Sequence, residues 1–170
     1  MITTPAALRP SVPLAVTIRD AGAADARRLA EIDLLPDVRP WLDLPLEADD
    51  GIDSWTRNNR DWMEDPRHRC VVAVLPGGAV VGSVTLSRRP GEPDGACLAL
   101  KVDPACQNRG VGGALLRWLV TTADALGLDR LYLAVLRTNR RAVALYARNG
   151  FVYDGPSSAT CDRMVRMRPR

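Results

Sequence analysis

Gln107, Asn108, Arg109, Gly110, Val111, Gly112 and Gly113 follow an apolar run that stops at Asp103-Pro104, and they open directly into a stretch of helical periodicity. A loop of this kind leaves backbone N–H groups free at a helix start, where the macrodipole favours an anion. Glycines at 110, 112 and 113 remove side chains that would hold a phosphate off the backbone. The chemistry on offer is capture of a diphosphate by main-chain amides. A second constellation lies downstream, where Asn139 and Tyr146 are seven residues apart on one expected helix. That is two turns, so both project from one side, about 10 Å apart along the axis. A phenol with an ordinary pKa of about 10 stays protonated at neutral pH and can act as a proton donor. A tyrosine buried on an apolar helix face would look the same.

The spacing narrows the kind of cradle. A P-loop needs a lysine after its last glycine, and none follows here. A dinucleotide fingerprint needs Gly-x-Gly-x-x-Gly and an acid at a strand end about 20 residues on. Asp124 and Asp129 instead fall within or just after the helix. The observed string is Gln107-x-x-Gly110-x-Gly112, preceded by Val102-Asp103-Pro104. It resembles the pyrophosphate loop and the strand-to-loop junction of the GNAT superfamily of N-acetyltransferases. Asn139, Ala142, Leu145 and Tyr146, with Asn149-Gly150-Phe151 after them, are similar to that family's Asn-x-x-Ala-x-x-x-Tyr…Gly-Phe signature. The resemblance covers about residues 14 to 168, with its specific motifs confined to 98–152.

The elements that must position these groups are legible by period and punctuation. Val16 to Arg19 alternates as a strand, and residues 24–34 are rich in helix formers. Three prolines make 35–52 a loop. Asp53 or Ser54 is expected to cap a second helix, with Trp55, Trp62 and Met63 on one face, more suited to core than to a substrate wall. Arg69–Leu75 and Ala79–Ser87 form a hairpin about Pro76-Gly77-Gly78. A strand ending at Val102, the helix after the cradle, a strand over 131–136, a helix capped by Thr138 or Asn139, and a closing strand pair complete the order β-α-α-β-β-β-α-β-α-β-β. This is an α/β fold, a mixed sheet with helices on both faces. The resemblance implies a mostly antiparallel sheet with splayed central strands. Residues 1–12 read as a flexible tail and 13–170 as a single domain.

The resemblance also implies roles. Acetyl-CoA would be the acyl donor, its arm lying between the strand that ends near Val102 and the strand over 131–136. Backbone groups of Leu100 and Val102 would bond the arm and thioester oxygen, as an oxyanion hole made of main chain does. Residues 107–113 would hold the diphosphate, Asn139 would align the arm, and Tyr146 would protonate the thiolate. Many relatives place a glutamate in the strand before the cradle, but Cys97, Leu98, Ala99 and Leu100 offer no carboxylate. No general base is named: a water chain or an acid from residues 33–65 would serve. The expected activity is transfer of an acetyl group to a primary amine by direct attack. The acceptor is left open between a small cationic amine and a peptide N-terminus or lysine. The rival readings are a non-catalytic acyl-CoA sensor, which would tolerate loss of the acid, and a nucleotide-binding protein.

Composition sets further bounds. A chain of 170 residues with 46% hydrophobic and 25% charged content suits one soluble domain. No run approaches the roughly 20 apolar residues of a membrane span, and no signal-peptide order opens the chain. Four cysteines, Cys70, Cys97, Cys106 and Cys161, show neither Cys-x-x-Cys nor histidine at metal spacing, so a reduced, cytoplasmic protein without metal is expected. Cys106 falls in the glycine loop, an incidental residue with a chance of exposure. The net charge of +3 conceals a division. Residues 33–65 carry ten acids against three arginines, whereas residues 101–170 carry twelve bases against five acids. One half suits a polyanionic cofactor and the other a cation, though a solvated acidic face would give the same count. The arginines lack interleaved aromatics, which speaks against nucleic acid. A homodimer is allowed but not required. His68, the one histidine, reads as a surface loop residue.

Overall fold

The computed structural model describes residues 12–42, 51–91 and 94–169. Seven strands form one sheet: β1 (Thr17–Asp20), β2 (His68–Val74), β3 (Val80–Ser87), β4 (Gly95–Val102), β5 (Arg130–Leu136), β6 (Val152–Pro156) and β7 (Cys161–Met167). The helices are α1 (Ala26–Asp33), α2 (Ile52–Glu64), α3 (Val111–Ala125) and α4 (Arg140–Arg148). The chain order of strands and helices is the expected one. In space the strands run β1-β2-β3-β4-β5-β7-β6, and every neighbouring pair is antiparallel except β4 with β5. A parallel pair needs a crossover, and α3 supplies it.

The local sequence explains why these elements form. β-branched residues fill β2 and β3, and Gly78, at φ +87°, permits the tight turn between them. Alternation along β2 sends Val71 and Ala73 into the main core with α3, while Val72 packs with Leu29 and Val80 on the opposite face. Helices therefore cover both faces. Leu115, Leu116 and Leu119 of α3 are fully buried, each worth about 1.5–3 kcal/mol in area removed from water. Gly127 (φ +74°) and Gly150 (φ +85°) lie just past α3 and α4 in the left-handed backbone that ends a helix.

Gly82 is the tightest point of the sheet. A Cβ there would stand 2.7 Å from the Lys101 carbonyl oxygen, so β3 and β4 reach this spacing only because the residue is glycine. Neither the hairpin pattern nor the composition singles it out.

Several expectations are corrected. The second helix begins at Ile52 after Gly51, with no side-chain cap, so neither Asp53 nor Ser54 occupies that position. Trp55 is buried, but Trp62 is 47% exposed and stacks on His68 instead of joining the core. Cys106 is buried in the main core, and that burial pushes its thiol up. The first helix is shorter than expected because a 3-10 turn over Ala23–Asp25 precedes it, with Asp25 held by a bidentate Arg19. Residues 1–11 of the expected tail lie outside the described residues; at the start of the expected domain the Leu14 N–H donates to the Arg109 carbonyl at 2.9 Å. Among the described residues, no helix is long and apolar enough to cross a membrane.

Candidate active site

The site begins where a pairing ends. β4 and β5 share three rungs, Gly95 with Arg130, Ala96 with Leu131 and Cys97 with Tyr132. Past Cys97, β4 continues to Val102 paired with β3 alone, while β5 continues to Leu136 paired with β7. The Asp103 N–H donates to the Val81 carbonyl at 2.8 Å, which fixes which residues of β4 turn toward β3. By antiparallel alternation, Lys101 and Ala99 also face β3, and the main-chain groups of Leu100 and Val102 face the gap toward β5. The expected splay is thus a property of the fold.

The gap leads to the start of α3. Val111, Gly112 and Gly113 have no carbonyl four residues back within the helix, and the first intrahelical bond runs from Ala114 N–H to Gly110 O at 3.0 Å. No side chain caps this helix. Asn108 (φ 57°) and Gly110 (φ 86°) both adopt left-handed backbone, and N–H groups in such a turn converge on a concavity suited to an anion. At Gly112 a Cβ would come 3.3 Å from Leu145 Cδ2, 3.7 Å from Val102 Cγ2 and 3.8 Å from Leu100 Cδ2. Glycine therefore lets α3, α4 and β4 converge on the gap.

The Gln107 side chain is committed internally. Its amide nitrogen donates to the Val102 carbonyl at 2.9 Å, and its oxygen accepts from the Arg141 guanidinium. Its backbone N–H is spent as well, donating to the Pro104 carbonyl at 3.2 Å, so Gln107 shapes the loop and spans the mouth of the gap between β4 and α4. Arg109 is likewise turned aside: its Nε donates to the Val12 carbonyl at 3.3 Å. The Arg141 and Val12 contacts have no signal in the sequence, because those partners are 34 and 97 residues away.

Asn139 is the N-cap of α4, its side-chain oxygen accepting from the Ala142 N–H at 3.1 Å. The cap consumes the oxygen and leaves the amide N–H₂ for a further partner. Tyr146, on the same helix, is 7% exposed and packs against Phe151 with ring centroids 5.8 Å apart. Burial, with a smaller contribution from the Cys97 thiol, drives its phenol well above the ordinary tyrosine range. It is therefore a firmly protonated hydroxyl beside the residue at which the strands part.

Three acids of the acidic segment are already paired. Asp33 is buried and pairs with Lys101 Nζ at 2.5 Å, and it also accepts from Asn59 at 3.1 Å. Asp65 pairs with Arg67 at 2.5 Å, and Asp53 lies 3.6 Å from Arg27. Asp43, Glu47, Asp49 and Asp50 lie outside the described residues. His68 is the first residue of β2 and not a surface loop residue. Its side chain is 11% exposed, and its Nδ1 is buried without a partner among the described residues. Among those residues, no cluster of three or more His, Cys, Asp or Glu could hold a metal.

Residues 32–151 match the family model described as the acetyltransferase (GNAT) family. An L-amino acid N-acetyltransferase of Escherichia coli (strain K12) is 31% identical over 144 residues, covering 82% of this chain and 85% of that protein. A mycothiol acetyltransferase of Salinispora arenicola is 33% identical over 156 residues, covering 84% of this chain. The chain spans about half that protein's length, 47%. Among solved structures, a spermidine N-acetyltransferase from Vibrio cholerae in complex with CoA and spermine superposes with a TM-score of 0.77 at 21% identity. That superposition covers 90% of this chain and 95% of the other, and it shows a shared fold.

Proposed function

The chain belongs to the acetyltransferase (GNAT) family, and on that premise we propose that it moves an acetyl group from acetyl-CoA to a primary amine by direct attack within a ternary complex. The observation that carries the reading is the end of β4–β5 pairing at Cys97 and Tyr132. It turns the backbone of Leu100 and Val102 into a gap bounded by the uncapped start of α3 and by Tyr146. The residues fit acetyl-CoA on chemical grounds. Free N–H groups and side-chain-free positions suit a diphosphate, and unpaired strand backbone suits an amide-bearing arm.

In this reading the backbone of Asn108, Arg109, Gly110, Val111, Gly112 and Gly113 holds the diphosphate, while Gln107, expected to join them, has its N–H on the Pro104 carbonyl and shapes the loop instead. Asn139 donates its amide N–H₂ to the arm while its oxygen keeps the cap. The Leu100 N–H lies on the gap side, where it polarises the thioester carbonyl as charge develops on oxygen. The neutral amine attacks the carbonyl carbon, a C–N bond forms, and the C–S bond breaks. Tyr146 gives its proton to the departing sulfur, and the proton shed by the acetylated nitrogen returns to the phenolate through water. The products are an N-acetylated amine and CoA as free thiol. No side chain is assigned as base, and Asp33 is excluded from that role by its pairing with Lys101.

The test is calorimetry with acetyl-CoA followed by an amine panel read by release of CoA thiol. Binding without turnover of any amine would favour the non-catalytic sensor. Absence of binding at millimolar acetyl-CoA and CoA would end the proposal.

A further inference from the structure

Two arginines open α4 at a place where helix electrostatics disfavours them. Arg140 and Arg141 occupy its first two positions, and no acidic residue lies in that turn. A cation at the positive end of a helix costs about 0.3–1 kcal/mol. Four arginines in this half of the chain, at 137, 163, 166 and 168, are paired with carboxylates. Arg137 meets Asp162 at 2.7 Å, Arg163 meets Asp154 at 2.7 Å, and Arg166 grips Asp124 through two bonds of 2.9 Å. Arg141 has no such partner among the described residues and instead donates to the Gln107 side-chain oxygen. Gln107 is anchored in turn on the Val102 carbonyl, which faces the gap. An exposed, charge-uncompensated guanidinium is thereby aimed at the loop whose backbone N–H groups form the cradle.

Resting on the acetyl-CoA reading above, we propose that Arg141 is a cofactor-binding residue that grips the diphosphate from the α4 side, across from the start of α3, with Gln107 aiming it. One of its five N–H donors is used by Gln107, and the planar fork leaves others for phosphate oxygens. The placement explains why a helix tolerates a cation at its first turn: the same charge supplies electrostatic attraction where a polyanion docks.

The experiment is calorimetry of the full chain with acetyl-CoA and with acetyl-dephospho-CoA, which keeps the diphosphate but lacks the 3′-phosphate. It compares wild type with R141A, R141K and R148A. Arg148, in the last turn of the same helix, controls for net charge. The expected result is that R141A weakens both ligands by the same factor, about 10- to 100-fold, as loss of a charge-assisted bond implies. R141K should recover part of the loss, R148A should match wild type, and the R141A melting temperature should not fall. Unchanged affinity in R141A, a loss confined to the ligand with the 3′-phosphate, or an equal loss in R148A would each overturn the inference. A wild-type protein that binds neither ligand overturns the acetyl-CoA reading itself. An R141A protein that binds both at wild-type strength removes this inference alone.

Discussion

Cys97 stands opposite Tyr132 in the last rung that joins β4 to β5, and beyond it the two strands keep no partner in common. Tyr146 lies close enough to this fork for the Cys97 thiol to influence its phenol. The proposed proton donor is thus tied to the point where strand backbone becomes available to a ligand.

Tyr146→Phe should lower kcat by about 100-fold, the lower end of what a positioned acid contributes. Acetyl-CoA affinity and melting temperature should barely move, since the variant keeps the ring against Phe151 and removes a hydroxyl that bonds no described residue. Stopped-flow release of CoA thiol alongside calorimetry separates the two. A wild-type rate would remove Tyr146 from the mechanism.

Gly82→Ala places a methyl 2.7 Å from the Lys101 carbonyl oxygen, and backbone must shift to admit it. A loss of about 1–3 kcal/mol is expected from overpacking. Gly77→Ala, which meets nothing within 4 Å, is the control for the chemical change itself. Urea denaturation of both variants checks this. Equal midpoints would contradict the close approach of β3 to β4.

Asp33 and Lys101 form a buried pair, with side chains 4% and 15% exposed. Asp33→Asn or Lys101→Met alone leaves one charge without its partner and should cost about 3–5 kcal/mol. The double variant Asp33→Leu with Lys101→Met should recover much of that loss, because matched apolar groups no longer require desolvated charge. A double variant no more stable than the singles would show that the pair is not the source of the cost.

His68 gives a pH signature. Burial holds its pKa below the ordinary 6.5, with Asp65 opposing and Arg67 assisting. The unfolded chain therefore binds the proton more readily than the fold does. Stability from this site is complete above about pH 6.5 and is lost as pH falls through the folded value. Melting temperature measured from pH 7.5 to 5 should decline for wild type and decline less for His68→Gln. Parallel curves would show that the buried imidazole does not set the acid limb.

The order of strands and helices, the hairpin, the glycine turn into α3 and the helix ends at Asn139 and Gly150 could all be read from the chain. Each depends on a local rule: the period of apolar residues, the absence of a Cβ, or a side chain bonding backbone three residues away. Where those rules had competitors, reading failed. Gly51 starts α2 without a polar cap, and Trp62, placed at core spacing, faces outward over His68. The tertiary structure alone decided which groups are free to act. Asp33 is consumed by Lys101, 68 residues away, and the Gln107 oxygen is held by Arg141, 34 residues away. The rung at which β4 parts from β5 is likewise set by register and by α3 packed behind the sheet. Local sequence dictates which backbone and side-chain groups exist, but only contacts between remote segments determine which of them remain unspent at the gap.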